Sequence, residues 1–276
     1  MSIQGDHCSG PGRFHFVLHL HGLDHQDTIP GCDLTADLDQ HALRILLWDL
    51  DGTLVRGQRY GVFKDYTVPM LKKVFGTSGS LGEMMVSGMT DLQIVAEALR
   101  AEGITQDHIM ARKDQLLSCY IEEMKRATGN GAHLLEAMPG GREVLQRVAE
   151  HPRYLSALLT GNIKPAAYLK VELTGLAEFF QLPGAFGDES FDRRDLPALA
   201  AQRINEHLGA ELQPEQFIVI GDTPNDIACA RHFGARVLAV ATGRMYSKED
   251  LLAHEPDALL SDLLDVELVM KTLERL

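Results

Sequence analysis

Cysteine, positive charge and long apolar runs are all scarce in this chain of 276 residues. Its four cysteines, Cys8, Cys32, Cys119 and Cys229, form no CxxC pair and have no zinc-like spacing. This scarcity argues against both a disulfide framework and a structural zinc site. We therefore expect a reduced, cytoplasmic setting for the protein.

Positive charge is the second shortage. Lysine and arginine together number 26 against 39 aspartates and glutamates, for a formal net charge of -13. Such a balance argues against nucleic acid and anionic membranes as partners, because both require a basic surface. An anionic substrate would need a local positive centre, either a bound cation or a well-placed Lys or Arg.

Long apolar runs are absent as well. No stretch approaches the roughly 18 residues that a membrane-spanning helix requires, and the N-terminus has no basic segment followed by an uninterrupted apolar one. We therefore expect neither membrane insertion nor export.

The order of apolar runs predicts an α/β fold. The strand-like runs RILLWDL, LSALLT, QFIVIGD, ARVLAVAT and DALL alternate with amphipathic helical stretches. Because these strands are apolar almost throughout, they predict a Rossmann-like parallel sheet with helices on both faces.

Two segments depart from that alternation. Residues 1–41 are rich in Gly, Pro, Asp and His, which predicts a weakly ordered N-terminal extension. Residues 57–138 contain helical stretches and no strong strand, which predicts an inserted α-helical cap domain. The catalytic core would then comprise residues 42–56 and 139–276.

Polar residues follow three of the predicted strands. Because the carboxyl ends of parallel strands meet at one edge of the sheet, we expect these residues to converge there. Four carboxylates in one pocket require a neutralising cation, and hard oxygen ligands favour Mg²⁺. The sequence therefore predicts a magnesium site, whose candidate ligands are Asp49, Asp51, Asp222 and Asp226.

A bound phosphate would need hydrogen-bond donors near that cation. The Thr160 hydroxyl and the Gly161 N–H follow a strand and are suited to this role. A guanidinium can bind two phosphate oxygens, and Arg193 is the favoured source, with Arg194 as a competitor. Asn162 either contacts phosphate or caps the following helix, and both interpretations stay open.

The motifs occur in a recognisable order. The chain carries DxDGT at residues 49–53, an apolar run ending in TGN at 158–162, a basic residue at Arg193 and GDTxxD at 221–226. This set resembles the four ordered motifs of the haloacid dehalogenase-like hydrolase superfamily. The resemblance covers about residues 44–276. The third motif usually carries Lys, so the Arg here is a departure from the common pattern.

The resemblance implies specific roles for these residues. Asp49 would be the nucleophile that forms an aspartyl-phosphate, and Asp51 the general acid and base. Mg²⁺ would be held by Asp49, the main-chain carbonyl of Asp51 and Asp222, with Asp226 in the same acidic motif. Gly52 and Thr53 of the first motif are also assigned to phosphate binding.

The helical insertion resembles the cap of the phosphoglycolate phosphatase-like branch of that superfamily. Its GMTD sequence contains Thr90, which we interpret as a helix N-cap. A cap of this kind implies a small phosphorylated metabolite as the substrate, and hence a Mg²⁺-dependent phosphatase. The alternatives are a sugar phosphomutase of the same superfamily and a non-catalytic metabolite-binding module.

Overall fold

The computed structural model describes residues 42–59, 61–129 and 134–276. The predicted N-terminal extension, residues 1–41, lies outside these ranges. Within them, Cys119 and Cys229 are free and buried. No helix in the described ranges is long and apolar enough to cross a bilayer.

Six parallel strands form the main sheet, in the order β5-β4-β1-β6-β7-β8. The sequence predicted every member except β5, which is only two residues long and too short to show a period. A separate antiparallel pair joins β2 and β3. The strands are β1 (Arg44–Trp48), β2 (Val55–Gly57), β3 (Leu135–Ala137), β4 (Tyr154–Thr160), β5 (Ala185–Phe186), β6 (Phe217–Gly221), β7 (Arg236–Val240) and β8 (Ala258–Leu260).

Helices cover both faces of the main sheet. They are α5 (Gly141–Ala149), α6 (Lys164–Leu173), α7 (Leu196–Leu208), α8 (Pro224–Phe233), α9 (Lys248–Leu252) and α10 (Val266–Leu273). Because successive strand residues point to opposite faces, Leu46 and Trp48 pack in one core, whereas Ile45 and Leu47 pack in the other. Burying both faces explains why these strands are apolar throughout.

The segment between β2 and β3 is the predicted helical insertion. It contains α1 (Lys64–Phe75), α2 (Asp91–Leu99), α3 (Gln106–Met110) and α4 (Lys113–Thr128), with an apolar core of its own. Within it, α3 and α4 are separate helices, because α3 ends at Met110 and α4 begins at Lys113.

The β2–β3 pair was not expected, because the sequence showed no strong strand between residues 56 and 140. Val55 pairs with Ala137 and Gly57 with Leu135, so the two strands link the insertion to the sheet at its base. Strands of three residues carry too little periodicity to be recognised in a sequence.

Candidate active site

The first motif forms a tight turn at the end of β1. The Asp49 N–H donates to the Ile220 carbonyl (2.9 Å), which extends the β1–β6 ladder by one residue. The Leu50 carbonyl then accepts from the backbone N–H groups of residues 53, 54 and 55. As a result Asp49 is buried, whereas the Asp51 side chain is 48% exposed.

Gly52 cannot be replaced within this turn without strain. Its φ is +93°, and a Cβ there would overlap the Asp222 carboxylate. Glycine is the residue that tolerates both this backbone conformation and so close an approach. The turn therefore brings Gly52 of the first motif directly against Asp222.

Three of the four predicted carboxylates form one buried cluster. Asp49, Asp222 and Asp226 each place an oxygen within 4.8 Å of the others. Burial raises the pKa of Asp49 to about 6 against the opposing charge of Arg193, and burial and the two neighbouring carboxylates raise the pKa of Asp222 well above its ordinary value. Ionising all three carboxylates together is therefore unfavourable, and a bound divalent cation would offset that cost.

Arg193 lies within this cluster and Arg194 does not. One Nη of Arg193 contacts Asp49 Oδ1 at 3.0 Å and Asp226 Oδ1 at 2.5 Å, and the side chain is 5% exposed. The Arg194 side chain is exposed and pairs with Asp192. Of the two candidates, Arg193 is therefore the one beside the predicted nucleophile.

Asp226 has both carboxylate oxygens engaged. Oδ1 accepts from Arg193, and Oδ2 accepts from the N–H and the hydroxyl of Thr223 at the start of α8. Asp222 accepts from the Thr53 hydroxyl through Oδ1 (3.2 Å). Among the three carboxylates, Asp49 and Asp222 are therefore better suited to bind a cation, and Thr53 is buried beside the candidate metal site.

The expectation that all four carboxylates share one cluster was wrong for the Asp51 side chain. The Asp51 carboxylate is bound by Lys170 Nζ, at 2.7 Å from Oδ1 and 2.6 Å from Oδ2, and by Asn162 Nδ2 at 2.7 Å. An ammonium and an amide donor hold it apart from the buried group. The predicted involvement of Asp51 through its main-chain carbonyl does not depend on this orientation.

Asn162 does not cap the helix that follows it. Helix α6 has Ile163 at its N-cap, with no side-chain cap of its own. Its first N–H groups are instead satisfied by the carboxylates of Asp91 (2.8 Å) and Asp188 (2.7 Å). The Asn162 side chain instead donates to Asp51 and Thr160 through Nδ2 and accepts from Lys170 through Oδ1.

Lys170 was missed by the sequence reasoning. It lies on the buried side of α6 with Ala166, Ala167 and Val171, and its side chain is 3% exposed. A lysine within the apolar stripe of an amphipathic helix was the signal available, because lysine is almost never fully buried unless it is paired. Burial alone would lower the pKa of Lys170, but Asp51, Tyr66 and Asp91 raise it above its ordinary value.

The helical insertion closes over this edge of the sheet. The Asp91 N–H donates to the Gly161 carbonyl (2.7 Å), and Arg193 Nη1 donates to the Gly88 carbonyl (3.4 Å). A Cβ on Gly161 would overlap the Met89 carbonyl oxygen, so only glycine permits this contact. Thr90 caps α2, as predicted.

A cavity of about 310 Å³ lies between the insertion and the sheet. Tyr66 and Tyr120, from α1 and α4, line it with rings 5.4 Å apart. Thr53 and Asp226 lie outside its lining. The predicted site residues that share this cavity are Asp49, Asp51, Gly52, Thr160, Gly161, Asn162, Arg193 and Asp222.

Comparison with known proteins gives one consistent result. The HAD-hydrolase-like family model matches residues 195–266. The phosphoglycolate phosphatase of Vibrio vulnificus (strain CMCP6) is 23% identical over 252 residues, covering 84% of this chain and 99% of that protein.

Solved structures share the fold. A predicted phosphatase from Clostridium acetobutylicum superposes with a TM-score of 0.59 at 17% identity, over 85% of this chain and 99% of its own. A predicted phosphoglycolate phosphatase from Haemophilus somnus gives 0.56 at 20% identity, over 83% and 98%.

Proposed function

We propose that this chain, which is similar to the haloacid dehalogenase-like hydrolases and to a phosphoglycolate phosphatase, hydrolyses a small phosphomonoester through a phosphorylated Asp49. The observation that carries this proposal is the position of Asp49. Its buried carboxylate lies beside Arg193 at 3.0 Å and at the floor of a cavity that also contains Asp51. A nucleophile, a guanidinium and a second carboxylate thus share one cavity.

The two aspartates divide the chemistry. Asp49 attacks the phosphorus, the bond to the leaving oxygen breaks, and Asp51, in its protonated form, donates its proton to that oxygen. A water then attacks the phosphorus of the aspartyl-phosphate while Asp51 accepts the proton. The bond between Asp49 and phosphorus breaks, inorganic phosphate leaves, Asp49 is again a carboxylate and Asp51 is again protonated. Both side chains line the cavity, and Asp51 suits this role because its side chain is the more exposed of the two.

Donors around Asp49 are suited to the phosphoryl oxygens. Gly161 and Thr160 line the same cavity, and Arg193 contacts the nucleophile directly. Such donors are most effective in an enclosed site, where they stabilise charge that develops in the transition state. We assign Gly52, Thr160, Gly161 and Arg193 to the phosphate and leave Thr53 and Asn162 to orient Asp222 and Asp51.

The donor set fits Mg²⁺. Asp49 and Asp222 offer carboxylate oxygens, and the neighbouring Asp226 is paired with Arg193. Three buried carboxylates with one guanidinium leave net negative charge that a divalent cation would balance. When bound, Mg²⁺ would neutralise charge on the phosphoryl oxygens and on the attacking carboxylate.

The test is phosphate release from p-nitrophenyl phosphate, 2-phosphoglycolate and hexose phosphates, with Mg²⁺ or with EDTA. We expect Mg²⁺-dependent release that Asp49→Asn abolishes, because an amide cannot form the acyl phosphate. Asp107→Asn, at an exposed position of α3, is the matched control and keeps its activity.

Two results would contradict the proposal. Sugar-phosphate isomerisation without net phosphate release would identify a phosphomutase. Well-folded protein that releases no phosphate from any member of the panel would favour a phosphomutase or a non-catalytic binding module.

A further inference from the structure

Lys170 has all three of its N–H donors occupied by protein. They are accepted by Oδ1 and Oδ2 of Asp51, at 2.7 and 2.6 Å, and by Oδ1 of Asn162 at 2.6 Å. An ammonium group has three donors and no acceptor. Nothing remains on Lys170 with which to bind a substrate.

The same contacts fix the orientation of Asn162. Its Oδ1 faces Lys170, which can only donate, and its Nδ2 faces the Asp51 carboxylate, which accepts (2.7 Å). Nδ2 also reaches the Thr160 hydroxyl oxygen at 2.7 Å. The amide therefore has one orientation that satisfies every neighbour, and it ties Asp51 to the end of β4.

Lys170 and Asp51 differ sharply in exposure. The Lys170 side chain is 3% exposed, whereas that of Asp51 is 48% exposed and lines the cavity. Lys170 thus contacts Asp51 from the buried side and leaves the opposite edge of the carboxylate open. A carboxylate held on both oxygens by a buried ammonium cannot rotate freely about its side chain.

From this geometry we propose that Lys170 is a positioning residue, which holds the Asp51 carboxyl group in the orientation required to donate a proton to the leaving oxygen. This role rests on the proposed function, because it assigns Lys170 to the proton-transfer step of the same site. The α6 helix supplies the rigidity, since it is pinned at its start by Asp91 and Asp188. Proton transfer depends steeply on such alignment.

The role has a kinetic signature. A weakly basic leaving group such as p-nitrophenolate departs with little help from an acid, whereas an alkoxide needs the proton. Loss of alignment at Asp51 should therefore impair poor leaving groups much more than good ones. A purely structural defect would instead lower the rate for all substrates by the same factor.

The experiment measures kcat/KM for Lys170→Met across aryl and alkyl phosphates of increasing leaving-group basicity. The ratio kcat/KM reports the first phosphoryl transfer, in which the leaving group departs. We expect a loss of about tenfold or more for alkyl phosphates, toward the roughly 10²–10⁴-fold range of general acid catalysis, and a loss of only a few fold for p-nitrophenyl phosphate. KM should change little, because Lys170 has no donor for substrate.

Two further variants make the test decisive. Lys170→Gln removes the charge but keeps amide donors for Asp51 or Asn162, and serves as a second neutral variant if Lys170→Met is poorly folded by circular dichroism. Lys164→Met removes a lysine from an exposed position of the same helix and should match the wild type.

The outcomes separate the two proposals. A steeper dependence on leaving-group basicity in the Lys170 variants alone supports the positioning role. An equal loss for every substrate, a rise in KM alone, or no change overturns it while the phosphatase assignment stands. A wild-type protein that releases no phosphate overturns the proposed function itself, and this role with it.

Discussion

The Asp91 carboxylate, at the first position of α2 in the helical insertion, accepts a hydrogen bond of 2.8 Å from the Ile163 N–H at the start of α6. A side chain of the insertion thus satisfies one of the free N–H groups of a helix that covers the sheet. Since α6 also carries Lys170, the insertion is coupled directly to the element that orients Asp51.

Asp91 should make stability depend on pH. Burial raises its pKa to about 6, with the Ile163 N–H and Lys170 opposing that rise. Because the folded-state pKa exceeds the unfolded value near 3.9, ionising Asp91 penalises folding, and the penalty grows as pH rises from about 4 to above 6. We therefore compare the free energy of unfolding of Asp91→Asn with that of wild type. The difference should change in favour of the variant by about 1–3 kcal/mol from about pH 4.5 to pH 7.

Urea unfolding of both proteins at the two pH values measures this difference, with Asp107→Asn as the exposed control. A difference between Asp91→Asn and wild type that stays constant across pH would contradict the prediction.

Arg193 and Arg194 should differ greatly when each is replaced by methionine. Arg193 is buried against Asp49 and Asp226, so its removal leaves two buried carboxylates without a cation. We expect Arg193→Met to lower the free energy of unfolding by about 3–5 kcal/mol in EDTA and Arg194→Met to leave it close to the wild-type value. Chemical denaturation measures both, and comparable losses in the two variants would disprove the assignment.

The catalytic rate should likewise depend on Arg193 and not on Arg194. Removal of one donor to a developing phosphoryl charge typically lowers kcat by about 10²–10³-fold, and Arg193→Met is expected in that range. Arg194→Met should retain wild-type turnover, because its exposed side chain pairs with Asp192 and lies away from Asp49. Rates measured at saturating substrate with Mg²⁺ present test this directly.

Gly52→Ala should damage the site beyond its cost in backbone strain. Gly76, which ends α1 with φ +79°, isolates that strain, because a Cβ there would meet no atom of the described residues within 4 Å. We expect Gly76→Ala to cost about 1 kcal/mol and leave activity intact. Gly52→Ala should cost more and lose Mg²⁺-dependent turnover, because its methyl group would displace Asp222. Equal effects in both variants would count against this role of Gly52.

Mg²⁺ should stabilise the folded protein. A ligand that binds only the folded state, at about 100 times its dissociation constant, adds about 2.7 kcal/mol. We expect a higher thermal midpoint with Mg²⁺, reversed by EDTA and lost in Asp222→Asn, while Asp107→Asn keeps the shift. A midpoint in wild type that Mg²⁺ does not move would remove the metal site from the proposal.

Much of the fold and site was readable from the sequence. The apolar runs identified five of the six main strands, and motif order placed Asp49, Thr160 and Asp222 at strand ends. These features are local, because a buried strand requires an apolar run in its own sequence and the turn after β1 requires a glycine at position 52. The short β2, β3 and β5 strands were missed because two or three residues carry no period.

Tertiary structure decided which side chains meet. Lys170 and Asp51 are 119 positions apart, and Asp91 and Ile163 are 72 apart. No spacing rule connects such pairs, because packing of α6 and the insertion against the sheet brings them together. For the same reason the adjacent Arg193 and Arg194 were indistinguishable in sequence. The sequence by itself determined the chemical groups and the strand ends that carry them, whereas burial and packing decided that Arg193 faces Asp49 and that Lys170 holds Asp51.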